Sequence, residues 1–446
     1  MSSGSTSQAA KRISLVTATC IVVANMVGTG VFTSLGFQVG DLPNGFTIMA
    51  LWAIGGLCAL CGALSYAELG AALPRSGGEY HFLSQIYHPA LGFLAGWISI
   101  TVGFAAPVSA ASMAFAKYFA HVFPGVNSPA LSLGVVALVT LVHLGGVRVG
   151  SAFQTFATTF KVVLILLFIA AGCAMSAPQP VNFTPAHDGA ALFTSAPFAI
   201  SLVYVMYSYS GWNAVTYITG EVRNPSRTLP LALILGTWIV AVLYLALNAV
   251  FLRSAPSSEL AGKLEVGQVA ATHILGDSGG RIMAGLISFG LLSTISAMTW
   301  IGPRVTVSMG EDLRALSFLS RKTAGGVPAT AILAQFAIVA VLVLTSTFDH
   351  VVNYIQFSLS ICSFFTVLGV IVLRWRRPSL PRPYRTWGYP FTPLIFLAIS
   401  IWILFFQLRD KPMESLAGLA TMALGLIVYF LSPKTTPIPA SLPAAQ

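Results

Sequence analysis

The chain is 446 residues long; 56% of its residues are hydrophobic, 8% are charged, and the formal net charge is +10 at pH 7. Soluble proteins carry about 25% charged residues, so this composition excludes a soluble globular protein and indicates one that is embedded in a lipid bilayer. All five cysteines fall within hydrophobic runs, so no disulfide framework is indicated.

Twelve hydrophobic runs are long enough to cross a bilayer, which requires roughly 20 mostly apolar residues. They lie at residues 13–40, 46–70, 91–120, 130–147, 153–176, 193–220, 230–252, 282–308, 328–345, 351–373, 391–408 and 415–432. The sequence therefore predicts an all-α integral membrane protein with twelve transmembrane helices and short tails at 1–12 and 433–446. The polar start shows no cleavage site, so no removable signal peptide is expected.

The first run is interrupted at residues 27–31, where two glycines alternate with Val27, Thr29 and Val31. Glycine allows the backbone to leave helical geometry. Unwound backbone within a bilayer is tolerated only where it is buried in protein or lines a cavity. We therefore expect a helix that is broken at mid-membrane depth; the alternative is that the glycines only allow close helix packing.

The second run contains Cys58 and Cys61, which have redox-motif spacing but lie among glycine and leucine. A redox pair needs a polar, electropositive setting, so we interpret both as packing residues. Glu68, near the end of this run, either pairs with a basic residue or lies at headgroup level.

Lys161 lies roughly 12 Å into the fifth run, at 1.5 Å per helical residue. An intramembrane lysine indicates a functional site. Its ammonium could supply a fixed positive charge in the place of a bound cation, or exchange a proton. The alternative is that the side chain extends to the headgroups, which is the better interpretation for Lys117 at the end of the third run.

The sixth run is interrupted at residues 207–212, which include Ser208, Ser210 and Gly211. It opens a second half, 193–373, as the first broken run opens the half 13–176. Because each half has five spans, the second half enters the membrane from the opposite side. Paired broken helices in inverted halves mark the substrate site of a transporter near the midplane.

Two further segments flank this core. The loop 254–280 is long enough to fold over an outer vestibule as a lid, but an inert loop is an equally good interpretation. The segment 391–432 forms two helices that follow the two halves.

Each break exposes unpaired amides at the start of one half-helix and unpaired carbonyls at the end of the other. Amides suit an anion and carbonyls suit a cation, so together they would bind a zwitterion without any ionised side chain. We expect the amides after the first break to bind a carboxylate and the carbonyls before it, with the sixth run, to bind an ammonium. The predicted substrate contacts are Met26, Val27, Gly28, Thr29, Gly30, Val31, Tyr207, Ser208 and Ser210.

The basic residues are distributed unevenly, which argues against nucleic-acid binding. Sixteen fall on one side of the membrane, against five (Arg253, Lys263, Arg281, Arg409 and Lys411) on the other. The positive-inside rule then places both termini in the cytoplasm. The sixteen are Lys11, Arg12, Arg75, Arg148, Arg223, Arg227, Arg304, Arg314, Arg321, Lys322, Arg374, Arg376, Arg377, Arg382, Arg385 and Lys434. The last cluster, 374–385, is interpreted as an anchor to anionic headgroups.

No motif of nucleotide hydrolysis, metalloprotease or serine hydrolase chemistry is present in the sequence. We therefore predict a protein that is not an enzyme, with no cofactor, no metal and no catalytic residue. Because no cysteine lies in an outer loop, no disulfide-linked accessory subunit is expected.

Five motifs, in order, resemble the amino acid–polyamine–organocation superfamily, and within it the L-type amino acid transporters and their bacterial relatives. The resemblance covers nearly the whole chain. Thr29 stands where Ser is commoner in the family, and Tyr207 stands at an aromatic gate that is often Phe. The motifs lie at residues 28–32, 65–69 with 74–80, 209–213 with 221–227, 304–312, and 382–385 with 388–390.

The resemblance implies a LeuT-type fold, a 5+5 inverted repeat with discontinuous helices 1 and 6 and two C-terminal helices. Lys161 matches a lysine that, in relatives, occupies the place of a sodium ion, with Ser293 and Thr294 as neighbours. The implied function is sodium-independent transport of neutral L-amino acids by alternating access, as an exchanger (antiporter) or with protons.

Two other functions remain open at this point. The alternative within the family is a transporter of cationic amino acids or polyamines, although a polyamine has no carboxylate for the amides. A channel or sensor would show a continuous polar stripe, whereas the polar residues concentrate at the breaks. The compact loops suggest a multi-pass protein of the plasma membrane, specifically a bacterial inner membrane.

Overall fold

A computed structural model describes residues 13–42, 44–146, 151–176, 178–185, 189–312, 314–323 and 326–432. The two predicted tails lie outside the described residues, and with them Lys11, Arg12 and Lys434; Arg148 also lies outside. The predicted orientation of the termini therefore stays a prediction.

The described chain is helical, and its only strand-like feature is an isolated bridge between Ile13 and Val222. The α-helices are α1 (Leu15–Met26), α2 (Gly30–Thr33), α3 (Gly45–Ala72), α4 (Glu79–Ile86), α5 (Pro89–Ile98), α6 (Ala105–Val122), α7 (Ser128–Leu144), α8 (Ser151–Cys173), α9 (Gly189–Leu192), α10 (Ala196–Tyr209), α11 (Pro225–Ser254), α12 (Ser257–Leu260), α13 (Val266–Asp312), α14 (Ala329–Thr345), α15 (Phe348–Arg376), α16 (Phe391–Asp410) and α17 (Pro412–Leu431).

Four shorter helical segments follow or connect these helices. A 3₁₀ segment, Ser34–Phe37, continues α2, and a π-helical turn, Ser99–Phe104, joins α5 to α6. A 3₁₀ segment over Ala214–Glu221 follows α10, and another over Arg314–Ser320 follows α13.

Within the described residues, nine helical stretches are long and apolar enough to cross a membrane, and α7 and α14 are shorter apolar helices. The predicted all-helical architecture of a multi-pass membrane protein is thus confirmed, whereas the number of twelve transmembrane helices stays a prediction. Several apolar side chains lie exposed on the outside of the bundle, as expected for a surface that faces lipid. Examples are Leu138, Leu167, Trp238 and Phe405, which are 60%, 63%, 58% and 58% exposed.

Both hydrophobic segments that the sequence marks as interrupted are broken in the structure. Helix α1 ends at Met26, Val27 leaves helical geometry with ψ 85°, and α2 begins at Gly30. Helix α10 ends at Tyr209, and Gly211 takes a φ of 94° that side chains other than glycine rarely adopt. A Cβ at Gly211 would also lie 2.8 Å from the carbonyl oxygen of Asn25, so the two breaks touch.

Aromatic side chains fill the core that holds the two broken helices. Trp52 of α3 packs edge-on against Tyr209 of α10 and Tyr244 of α11, with ring centroids 5.9 and 5.7 Å apart. Its indole N–H donates to Gln38 Oε1 at 2.9 Å. Helix α3 packs along α11, and α1 packs on α11, so these elements form one continuous body.

The two ends of the bundle can be distinguished by their contacts. At one end, which we call the N-terminal face, the Ile13 amide donates to the Glu221 carbonyl at 3.2 Å. At the opposite end, the far face, the Gly262 amide donates to the Gly36 carbonyl at 2.8 Å, and Glu265 pairs with His121 at 3.3 Å. The loop between α11 and α13 therefore folds over the end of the first broken helix.

A buried ion cluster fastens the N-terminal face. Glu68 is 1% exposed and accepts two hydrogen bonds from the Arg374 guanidinium, at 2.8 and 2.6 Å. It also accepts from the Thr386 amide and hydroxyl, both at 2.7 Å, and Arg382 lies 3.5 Å away. The headgroup interpretation is thus wrong for Glu68, Arg374 and Arg382, because these charges neutralise one another inside the protein.

Replacing Glu68 with Gln should lower the free energy of unfolding by about 3 kcal/mol, because it leaves two guanidinium groups without their counter-charge. The measurement is the thermal unfolding midpoint of the purified protein in detergent. Glu311→Gln is the matched control, since Glu311 pairs with Lys322 on the surface at 3.4 Å. Equal midpoint shifts for the two variants would contradict this assignment.

Candidate functional site

A cavity of about 150 Å³ lies where the two helix breaks meet. Its walls are formed by the ends of α1 and α10 and by the faces of α6, α13, α15 and α16 that point toward them. The lining includes Ile21 and Asn25 of α1 and Tyr217 and Ile218 of the 3₁₀ segment, which approach the N-terminal face. Ser34, Phe37 and Tyr204, toward the far face, are not in the lining. The cavity therefore lies on the N-terminal side of the first break.

Seven of the nine residues predicted as substrate contacts line this cavity: Met26, Gly28, Thr29, Gly30, Tyr207, Ser208 and Ser210. The other two, Val27 and Val31, have side chains that are 0% exposed and belong to the packed core, so only the backbone atoms for which they were predicted could contribute.

Two hydrogen bonds close the cavity toward the far face. The hydroxyls of Thr29 and Tyr207 lie 2.7 Å apart, and those of Ser34 and Ser208 lie 2.8 Å apart. Above them, Phe37 stacks on Tyr204 with ring centroids 4.8 Å apart. This arrangement joins the two broken helices directly, and it places Tyr207 between the cavity and the far face.

Replacing Tyr207 with Phe should raise the KM for the transported substrate about two- to tenfold with little change in maximal rate, because one neutral hydrogen bond between the broken helices is lost. Initial rates of uptake at several substrate concentrations measure this. Tyr209→Phe is the control: its hydroxyl donates to the Trp52 carbonyl at 3.2 Å and lies behind the cavity. A rise in KM of the same size in the control would refute a gate role for Tyr207.

The start of α2 presents backbone amides to the cavity. The Phe32 amide donates to the Thr29 carbonyl at 3.0 Å, whereas the first amides of a helix, here those of Gly30 and Val31, have no acceptor within their own helix. Gly30 packs in direct contact with α10, since a Cβ added at Gly30 would lie 2.5 Å from the Cα of Ser208. The site thus offers donors on one side of the first break.

The carbonyls before the break are already bound, which corrects the expectation that they accept a substrate ammonium. The Met26 carbonyl accepts from the Tyr244 hydroxyl at 2.6 Å and from the Gly28 amide at 2.9 Å. The Val27 carbonyl accepts from Lys161 Nζ at 2.8 Å. Acceptors remain at the end of α10, where the last carbonyls of a helix lack intrahelical donors; Met206 and Ser208 there line the cavity.

Lys161 is 3% exposed and reaches the end of α1 rather than the membrane surface. Besides the Val27 carbonyl, its ammonium donates to the Ala24 carbonyl at 3.4 Å and the Thr294 hydroxyl at 3.3 Å. Extension of the side chain to the headgroups is therefore wrong. Lys161 supplies a positive charge where α1 leaves its carbonyls unpaired.

Of the two neighbours expected from the resemblance, Thr294 accepts a hydrogen bond from this ammonium and Ser293 does not. Its buried hydroxyl has no hydrogen-bond partner among the described residues. The face of α13 that meets Lys161 carries Thr294 and, one turn earlier, Gly290, where a Cβ would lie 3.3 Å from Lys161 Cγ.

Sequence reasoning missed several polar residues of the cavity wall. Glu79, at the start of α4, lies in the wall with Asn213 and Tyr217 from the second break and Ser363 from α15. The signal was the pair Gly77 and Gly78, whose φ angles of 121° and 53° turn the chain back into the bundle. The other polar wall residues are Ser99, Gln356, Ser360 and Ser400.

One group of side chains at the far face has the composition of a metal site. Ligand atoms of Asp349, His350 and Glu414 lie within 4.8 Å of one another. These groups are paired already: Asp349 accepts from Lys411 at 3.0 Å and from Tyr204, and His350 contacts Glu414. The cluster therefore fastens α17 to the start of α15, and it is separate from the cavity.

Comparison with known proteins identifies the family of this chain. Residues 13–430 match the family model described as amino acid permease. The chain is 28% identical over 435 residues to the b(0,+)-type amino acid transporter 1 of Mus musculus, covering 94% of this chain and 88% of that protein. It is 27% identical over 434 residues to the Asc-type amino acid transporter 1 of Mus musculus (94% and 81%).

A third relative is the large neutral amino acids transporter small subunit 2 of Oryctolagus cuniculus, 29% identical over 442 residues, with coverage of 94% and 80%. The family match extends over nearly all of the described residues and over both broken helices. It agrees with the superfamily that the sequence motifs predicted. The chain belongs to the amino acid permease family, within the amino acid–polyamine–organocation superfamily.

Proposed function

We propose that this protein is a sodium-independent secondary transporter of neutral L-amino acids, working by alternating access as an exchanger or with protons. The observation that carries the proposal is the cavity between two broken helices, with a lysine ammonium among the carbonyls at the end of α1. The relatives are named as amino acid transporters, which supports transport as the activity.

The proposed substrate pose uses the two breaks together. The substrate carboxylate lies against the Gly30 amide at the start of α2, where the helix end is electropositive. The substrate ammonium lies against the carbonyls at the end of α10, including that of Ser208, and its side chain points into the rest of the cavity. Thr29 and Tyr207 cover the pose toward the far face, 2.7 Å apart.

Lys161 supports independence from sodium. A cation site at the end of a broken helix would be built from the carbonyls of Ala24 and Val27 and the hydroxyl of Thr294, which are oxygen ligands suited to a hard cation. All three accept hydrogen bonds from the Lys161 ammonium, the Ala24 carbonyl at 3.4 Å, the Val27 carbonyl at 2.8 Å and the Thr294 hydroxyl at 3.3 Å. A fixed ammonium there removes the need for a transported metal cation.

We extend the proposal to the whole chain as a LeuT-type arrangement of twelve transmembrane helices. The segments 13–176 and 193–373 form the inverted repeats, and 391–432 forms the two further helices. The N-terminal face is then cytoplasmic, the membrane is a plasma membrane, specifically a bacterial inner membrane, and the cavity opens toward the cytoplasm.

We also propose that the protein works without a disulfide-linked accessory subunit, although one relative is named as a small subunit. Cys20 and Cys173 are exposed, and both belong to apolar helices; Cys58, Cys61 and Cys362 are buried. The exposed cysteines of apolar helices face the lipid, and the buried ones face the protein core. Migration of the protein from native membranes as a single species on a non-reducing gel would support this.

A cationic amino acid is the second candidate substrate. The observation in its favour is Glu79, an acidic side chain in the cavity wall. A carboxylate there could pair with a second positive charge on the substrate.

The test of the proposed function is uptake by purified protein in liposomes that are preloaded with unlabelled amino acid. Labelled alanine, serine, leucine, arginine and putrescine are compared with and without sodium. We expect uptake of one or more neutral amino acids, unchanged by sodium. Uptake confined to arginine or putrescine would reject the neutral substrate class, and a strict requirement for sodium would reject the role given to Lys161.

A further inference from the structure

Glu79 is a buried acid with no part in the substrate pose proposed above. It is the first residue of α4, is 2% exposed, and lies in the wall of the cavity. The turn at Gly77 and Gly78 brings it there, and the Gly78 amide donates to the Thr216 carbonyl of the second break at 3.3 Å. The fold therefore holds this side chain inside the bundle.

One carboxylate oxygen of Glu79 accepts all of its hydrogen bonds. Oε1 accepts from the hydroxyl of Tyr66 on α3, from the hydroxyl of Ser363 on α15 at 3.1 Å, and from Asn213 Nδ2 at 3.4 Å. The other oxygen, Oε2, makes no hydrogen bond with the described part of the chain. Three elements thus hold Oε1 in place and leave Oε2 for a partner from the cavity.

No positive charge in the described chain neutralises Glu79. The titratable groups that interact with it are Tyr66 from α3, Tyr217 from the 3₁₀ segment and Cys362 from α15, and none of them is cationic. On its own segment, Arg75 and His81 form no ion pair with it, and the ion pairs of the described residues do not include Glu79.

The other buried acids differ from Glu79 in this respect. Three Glu residues of the described chain are buried: Glu68, Glu79 and Glu414. Glu68 pairs with Arg374, and Glu414 pairs with His350. An unpaired carboxylate is unfavourable away from water and takes up a proton or a cation.

We propose that Glu79 is the proton-binding residue of transport, taking a proton onto Oε2 from the cavity when the cavity opens at the N-terminal face. The inference rests on the proposed function and names its coupling ion. A neutral amino acid brings no second positive charge, so a proton from water is what neutralises this carboxylate. Deprotonation returns the same proton to water, and no other bond is made or broken.

The position of Glu79 explains how this proton would be coupled to movement. Its Oε1 joins the second break, through Asn213, to α3 and α15. Neutralising the carboxyl weakens these three charge-assisted hydrogen bonds at once. The second broken helix, which also carries the gate residue Tyr207, is then freer to move relative to α15.

The test begins with counterflow of labelled alanine in proteoliposomes for the wild type, Glu79→Gln and the control Glu311→Gln. Counterflow needs no net proton movement, so it reports whether each protein is folded and carries substrate. Net uptake into empty liposomes under an inward gradient of one pH unit follows, with an internal pH dye. At one proton per alanine, this gradient supports about tenfold accumulation.

We expect accumulation with matching acidification in the wild type and in Glu311→Gln. Glu79→Gln should retain counterflow and lose both accumulation and acidification. If the wild type shows counterflow but no alanine-linked acidification, the inference is overturned whatever the variant does. It is also overturned if Glu79→Gln still accumulates alanine, or if it loses only arginine uptake, which would make Glu79 a receptor for a substrate cation. No counterflow of any neutral amino acid in the wild type would instead reject the proposed function itself.

Discussion

Replacing Lys161 with Met should reduce amino acid uptake by about 10- to 100-fold, the loss expected when hydrogen bonds from a charged group disappear. Methionine keeps most of the side-chain volume but cannot donate to the carbonyls of Ala24 and Val27. Those carbonyls would remain buried at the end of α1 without their donor, and the first broken helix would lose the charge that fixes its geometry.

The measurement is the initial rate of uptake in proteoliposomes at matched protein density. Lys117→Met is the matched control, because Lys117 is exposed near the end of α6. Uptake by the Lys117→Met variant should stay within about twofold of the wild type. Wild-type uptake by Lys161→Met would show that the ammonium has no role in transport.

A single methyl group at Gly30 should strongly reduce transport. A Cβ at this position would lie 2.5 Å from both the Cα and Oγ of Ser208, closer than real contacts allow, and the Cα cannot rotate away. Helices α2 and α10 would have to separate, which would break the hydrogen bonds between Thr29 and Tyr207 and between Ser34 and Ser208. We expect uptake by Gly30→Ala to fall about 5- to 150-fold, since overpacking costs about 1–3 kcal/mol and here acts on the site itself.

Gly28→Ala provides a control two residues away in the same break. A Cβ there would meet nothing closer than Thr294 Cγ2 at 3.8 Å, which is ordinary contact. Its uptake should therefore remain within a few-fold of the wild type. If Gly28→Ala loses as much uptake as Gly30→Ala, the close approach of the broken helices is not the reason for either loss.

The helix breaks could be predicted from the sequence because glycine leaves a local signal. Residues 27–29 and 210–213 are the points at which α1 and α10 lose helical geometry. Glycine between hydrophobic residues at mid-membrane depth has few explanations, and a second example at the start of the second half narrows them further.

The partners of the backbone atoms could not be predicted in the same way. The Met26 and Val27 carbonyls looked free because their donors, Tyr244 and Lys161, lie more than a hundred residues away in sequence. A broken helix shows which atoms lose their local partners, but only tertiary packing shows which long-range donors replace them.

Glu79 shows the same limit for a side chain. In the sequence it follows a short loop, residues 74–78, and no local pattern marks it as part of a buried site. The turn at Gly77 and Gly78 sends α4 back into the bundle, where Glu79 becomes 2% exposed. The glycine pair signals a turn, but its direction depends on contacts such as that between Gly78 and Thr216.

Binding of head-group analogues to the purified protein tests the central claim most directly. Calorimetry would compare L-alanine with its methyl ester, which lacks the carboxylate, and with propionate, which lacks the ammonium. If the amides of α2 bind the carboxylate and the carbonyls of α10 bind the ammonium, each analogue should bind about 10- to 100-fold more weakly than alanine. Binding of either analogue as tightly as alanine would contradict recognition of a zwitterion at the two breaks.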